Sequence, residues 1–131
     1  MTRREIGLKR ILIIDDEKQV RDMLRMILDR AGYEVEDAPD GKAGIRRRHC
    51  ENPADLIITD ILMPEKEGIE TIMTFQKDFP ECKCIAISGG GGFSSPYAFL
   101  ATAKKLGAAR VFTKPVNRGE LLVAVEELIG R

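Results

Sequence analysis

The sequence predicts an α/β fold: a doubly wound (βα)5 domain with a parallel five-stranded sheet of order 2-1-3-4-5. Three observations predict it. Short apolar runs alternate with segments of helical periodicity along the whole chain. The first, third and fourth of these runs are continuously apolar rather than alternating, as in strands buried on both faces. The connections are short, and glycine, proline and capping residues stand at the junctions. Right-handed crossovers leave few ways to wind such a chain. At 131 residues it is about one domain and long enough to bury a core.

The elements follow in order. Ile11–Ile14 is the first strand. Val20, Met23, Leu24, Ile27 and Leu28 fall at i, i+3, i+4, i+7 and i+8, which predicts a helix with Asp16 as its cap and Gly32 at its end. Tyr33–Asp37 is a short second strand. Asp40–Glu51 is a helix of poor composition, with Gly44 and several arginines inside it and Pro53 closing it. Leu56–Thr59 is the third strand. Ile69, Ile72 and Met73 mark a third helix that ends before Pro80. Cys84–Ile87 is the fourth strand. Ser95-Pro96 starts a fourth helix, carried by Leu100, Ala103 and Leu106 to Gly107. Arg110–Thr113 is the fifth strand. Asn117 and Glu120 resemble a capping box, and Leu121, Leu122, Val125, Leu128 and Ile129 give the last helix its apolar face.

Composition excludes several classes of function. Lys+Arg and Asp+Glu number 21 each, so net charge makes no case for nucleic acid or an anionic membrane as partner. Arg3-Arg4, Lys9-Arg10 and Arg46-Arg47-Arg48 read as solvated surface. Cys50, Cys82 and Cys84 are odd in number and form no Cys-x-x-Cys pair, and there is one histidine, so a zinc site is not expected. Reduced thiols and the absence of a long apolar run predict a cytoplasmic protein.

The chemistry gathers at the carboxyl ends of the strands, where open α/β sheets bind ligands. Asp15-Asp16 follows the first strand, Asp60 the third, Ser88 the fourth and Lys114-Pro115 the fifth. One such residue alone is an ordinary turn or cap. All of them on one rim are more than that. Three carboxylates brought together stay ionised only beside a cation, and a hard divalent ion such as Mg²⁺ suits oxygen ligands. One carboxylate can serve as nucleophile toward a phosphoryl group, while lysine, hydroxyl and metal share the charge on its oxygens.

The run "AISGGGGFSS" at residues 86–95 suggests a phosphate-cradling loop. It is not a P-loop, because no Gly-Lys-Ser/Thr ends it, and it follows the fourth strand rather than the first. After the first strand stands Asp15-Asp16-Glu17, which would repel a nucleotide phosphate.

The segments "ILIIDDEKQVRDML", "DLIITDILMP" and "VFTKP", in this order and spacing, resemble the receiver domain of two-component response regulators, from about Lys9 to Ile129. The resemblance implies a flavodoxin-like fold; because the sequence ends just after its last helix, a stand-alone receiver or a piece of a larger regulator is expected. It implies that Asp60 accepts a phosphoryl group from a phosphohistidine on a sensor histidine kinase or a histidine phosphotransfer protein. It further implies that Asp15, Asp16, Asp60 and the backbone carbonyl of Leu62 hold Mg²⁺ (or Mn²⁺). Ser88 would bond one phosphoryl oxygen beside Gly89, Lys114 would pair with another, and the bond before Pro115 would be cis. The glycines then form the loop that moves on phosphorylation, together with the surface of the fourth helix, fifth strand and fifth helix.

Three departures from the family pattern stand out. Ser88 replaces the commoner threonine. Arg48 and His49 lie where the second helix usually buries aliphatics. Val111 stands where an aromatic switch residue is usual, and Phe112, one residue later, faces the other side of the sheet. The expectation is a single receiver domain over residues 1–131, core about 9–129, without an output domain. It would be a phosphorylation switch rather than an enzyme, assisting only its own Mg-dependent phosphorylation and dephosphorylation. It would bind no nucleic acid directly and no membrane, and its downstream protein target is unknown. The alternatives are a non-phosphorylated pseudo-receiver docking module and an aspartyl-phosphate hydrolase. The intact acidic set disfavours the first, and Asp-Asp-Glu in place of Asp-x-Asp disfavours the second.

Overall fold

A computed structural model describes residues 7–48, 54–61, 67–89, 101, 104–105 and 107–130. The strands are β1 (Arg10–Ile14), β2 (Glu34–Ala38), β3 (Leu56–Asp60), β4 (Lys83–Ser88) and β5 (Arg110–Thr113). They form one parallel sheet of order β2-β1-β3-β4-β5, as the sequence predicts. The helices are α1 (Lys18–Arg30), α2 (Gly41–Arg48), α3 (Glu67–Asp78) and a C-terminal helix (Arg118–Ile129). Ala101, Lys104 and Lys105 are helical, between β4 and β5.

The apolar runs are continuous because the sheet is covered on both faces. Leu12 and Ile14 of β1 join Ile57, Ala86, Ile72 and Phe75 on one face. Ile11 and Ile13 join Ile58, Ile85, Leu24, Leu28, Leu121 and Val125 on the other. Burial of each such aliphatic contributes about 1.5–3 kcal/mol. Val111 packs against the first cluster and Phe112 against the second, so adjacent residues of β5 do face opposite sides.

Several local expectations are corrected. Glu17, not Asp16, holds the N-cap position of α1, and its side chain makes no capping bond. The third helix buries Ile72 and Phe75, while Met73 is half exposed. The buried stripe thus advances by three residues from Ile72, and Phe75 continues it by four to Phe79, ring centroids 5.4 Å apart. Met23 is also exposed, and α1 buries Leu24 and Leu28. Arg10 is not solvated surface. It is buried and paired with Glu34 at 2.9 Å and Glu36 at 3.3 Å.

Gly44 explains the poor composition of α2. A Cβ there would lie 2.5 Å from Cδ1 and 2.9 Å from Cγ1 of Ile14, so a glycine lets the helix lie close on β1. Asp40 caps this helix by accepting from the Ala43 N–H at 2.8 Å. The C-terminal helix starts as expected, with the Asn117 side chain accepting from the Glu120 N–H at 2.9 Å. Cys82 and Cys84 are free and buried, and burial pushes the Cys84 thiol up to about 12. Among the described residues no helix is long and apolar enough to cross a membrane. Cys50, His49, Pro53, Leu62, Ser95-Pro96 and the glycines after Gly89 lie outside the described residues, as does the side chain of Arg48.

Candidate functional site

The parallel order brings the carboxyl ends of β1, β3, β4 and β5 to one rim. Asp15 leaves β1 with its N–H still bonded to the Ala38 carbonyl at 3.2 Å. Asp60 is the last residue of β3, and the next N–H, of Ile61, bonds the Ile87 carbonyl at 2.9 Å. The Lys114 N–H bonds the Ser88 carbonyl at 2.8 Å, which carries the β4–β5 pairing to the loop that bears the lysine. The peptide bond from Lys114 to Pro115 is cis.

These backbones converge Asp15, Asp60 and Lys114. The lysine Nζ lies 2.8 Å from Oδ2 of Asp60 and 3.1 Å from Oδ2 of Asp15. Asp15 and Asp60 are buried. Asp16 and Glu17 are exposed at the mouth of the site. Each of the four acidic residues offers a carboxylate oxygen, and these oxygens all lie within 4.8 Å of one another. The cluster could hold a metal ion.

The electrostatics follow from this crowding. Burial pushes the Asp15 carboxyl up to about 6, and the nearby Asp60 charge adds to the rise. The Glu17 N–H, 2.8 Å from Asp15 Oδ1, and the Lys114 ammonium oppose it. Burial by itself would lower the pKa of Lys114, but the hydrogen bond and charge of Asp60, with those of Asp15, outweigh it and raise the pKa. The lysine is therefore a fixed cation.

Ser88 is fully buried at the end of β4, and among the described residues its Oγ has no hydrogen-bond partner. A buried hydroxyl without a partner is costly and needs an explanation. Among the described residues, a Cβ at Gly89 would meet only Lys114 Cδ, at 3.9 Å. Val111 and Thr113 line a cavity of about 550 Å³ with Phe112, Pro115, Asn117 and Glu120, beside the site on the β5 edge.

Two residues at the site were not assigned from the sequence. Glu17 Oε1 lies 3.1 Å from Lys114 Nζ. Arg21 donates from Nη1 to the Asp15 carbonyl at 2.8 Å. The available signal was their spacing of four across the start of α1, which puts both on the side of the helix that faces the site.

A family model described as the response regulator receiver domain matches residues 11–126. The chain is 34% identical to the chemotaxis protein CheY of Thermotoga maritima, over 92% of this chain and 97% of that protein. It is 40% identical to the alkaline phosphatase synthesis transcriptional regulatory protein PhoP of Bacillus subtilis, over 94% of this chain and 49% of PhoP. The chain thus spans about half the length of PhoP. The crystal structure of a CheY-like response regulator receiver domain protein from Methanospirillum hungatei superposes with a TM-score of 0.81 and 33% identity, covering 92% of this chain and 93% of that one.

Proposed function

The chain belongs to the response regulator receiver domain family, and on that premise we propose that Asp60 is its phosphoacceptor, taking a phosphoryl group from a phosphohistidine of a sensor histidine kinase or histidine phosphotransfer protein. The family's domains are signalling modules of two-component systems rather than enzymes acting on metabolites. The observation that carries the assignment is the pairing of buried Asp60 with the Lys114 ammonium at 2.8 Å, next to Asp15.

In this reading a carboxylate oxygen of Asp60 attacks phosphorus, and the imidazole nitrogen of the donor leaves as its bond to phosphorus breaks. Lys114 is already held beside the attacked position and turns one N–H to a phosphoryl oxygen. Ser88 gives its unpartnered hydroxyl to another, which draws the end of β4 and Gly89 toward Asp60. Asp15, Asp16 and Asp60, with the Leu62 backbone carbonyl, would hold Mg²⁺ (or Mn²⁺). The fit rests on the donor set: the Asp15, Asp16 and Asp60 carboxylates are hard oxygen donors, and with Glu17 beside them they outnumber the Lys114 ammonium that Asp15, Asp60 and Glu17 contact. When bound, the ion neutralises charge on the transferring group.

Val111 is short and stiff at χ1, so the signal would leave through the β4 end, the loop after it and the surface around β5, without an aromatic rotamer change. The receiver domain, matched over residues 11–126, would work in the cytoplasm with protein partners.

Intact-mass measurement after incubation with Mg²⁺ and acetyl phosphate or phosphoramidate tests the assignment. One base-labile phosphoryl group is expected on the wild type, none on Asp60→Ala, and none on the wild type with chelator. Equal labelling of Asp60→Ala would overturn it.

A further inference from the structure

We infer that Glu17 is a positioning residue for Lys114, the one partner that keeps the ammonium at the site when a divalent cation occupies Asp15 and Asp60. The assignment rests on the metal reading proposed above. An ammonium has three N–H donors. Lys114 has three carboxylate partners: Asp60 at 2.8 Å, Asp15 at 3.1 Å and Glu17 at 3.1 Å. Asp15 and Asp60 also belong to the proposed cation donor set. A divalent ion bound there takes a lone pair from each and repels the ammonium. Of these three partners among the described residues, Glu17, whose carboxylate lies within 4.8 Å of the others, is the one the proposed donor set leaves out.

The local structure suits the task. The Glu17 backbone is fixed at both ends. Its N–H bonds Asp15 Oδ1 at 2.8 Å, and its carbonyl accepts the Val20 and Arg21 N–H groups at 3.1 Å each. Its side chain makes no capping bond, so the cap position is spent on Lys114. The contact joins the loop after β1 to the loop after β5, across 97 residues. An exposed pair between two long side chains is usually weak. Here the lysine side chain is only 15% exposed, so much of its ordering is imposed by packing before the pair forms.

The test follows the Lys114 ammonium by ¹⁵N NMR, its signal assigned by loss in Lys114→Arg, during titration with MgCl₂. A held ammonium exchanges protons slowly and stays visible. In wild type the signal should survive both without metal and at saturation. In Glu17→Gln it should survive without metal, on Asp15 and Asp60, and disappear at saturation. The Mg²⁺ affinity of Glu17→Gln should change by no more than about fivefold, the size of an exposed ion pair. A Lys114 signal that persists in Mg²⁺-saturated Glu17→Gln, or vanishes in saturated wild type, overturns the assignment and leaves the metal reading intact. Loss of Mg²⁺ affinity equal to that of Asp16→Asn overturns it too, by making Glu17 a ligand. No Mg²⁺-induced change at Asp15 and Asp60 in wild type overturns both.

Discussion

Lys114 Nζ lies 2.8 Å from Asp60 Oδ2, although 54 residues separate them in sequence. The same nitrogen holds Asp15, so one ammonium is shared by two buried carboxylates. Without it the two buried carboxylates lose the cation they share. Lys114→Ala should destabilise the metal-free protein by roughly 1–3 kcal/mol, less than a fully buried pair would lose because the lysine is partly solvated. Mg²⁺ should raise the melting temperature of the variant more than that of wild type. Equal Mg²⁺-induced shifts would show that the lysine does not compete for those carboxylates.

Asp15 gives the metal-free fold a pH dependence of unusual sign for a carboxylate. It titrates at about 6 when folded and at its ordinary 3.8 when unfolded. Between those values the folded state holds more protons, so the Asp15 contribution to stability falls as pH rises. Asp15→Asn keeps an oxygen for the Glu17 N–H and removes the charge. It should stabilise the metal-free protein by roughly 1–3 kcal/mol at pH 7, with the gain vanishing toward pH 4. Urea melts at the two pH values measure this, and a gain independent of pH would contradict the assignment.

Ser88 carries a buried hydroxyl with no hydrogen-bond partner among the described residues. Ser88→Ala removes a desolvated group and should raise the stability of the unphosphorylated protein by up to about 1 kcal/mol. It should also blunt the amide shifts that beryllofluoride with Mg²⁺ causes at Gly89 and Lys114. A variant that is less stable, with undiminished shifts, would remove Ser88 from the switch.

Gly44→Ala pits a helix gain of about 1 kcal/mol against overpacking of about 1–3 kcal/mol. The new Cβ would sit 2.5 Å from Ile14 Cδ1 in a fully buried site, so the clash should win. Ile14→Val removes that methyl. The double variant should be more stable than the sum of the two single losses predicts, a positive coupling in a double-mutant cycle by denaturant melts. Strict additivity would show that Gly44 is there for another reason.

The sequence by itself determined the order of strands and helices, the parallel sheet and the rim on which Asp15, Asp16, Asp60, Ser88 and Lys114 meet. Those features are local in origin. A continuous apolar run marks a strand buried on both faces, and in a parallel sheet every carboxyl end comes to the same side. Tertiary structure alone decided which atoms pair there. That Lys114 divides its donors among Asp60, Asp15 and Glu17 depends on how loops 54 to 99 residues distant are set by the packed sheet. Spacing along the chain carries no such distance. The same reason hides the burial of Arg10 against Glu34, the exposure of Met73 beside buried Phe75, and the fit of Gly44 against Ile14. Each is set by what stands opposite in space, and a periodic pattern records only which side of its own element a residue takes.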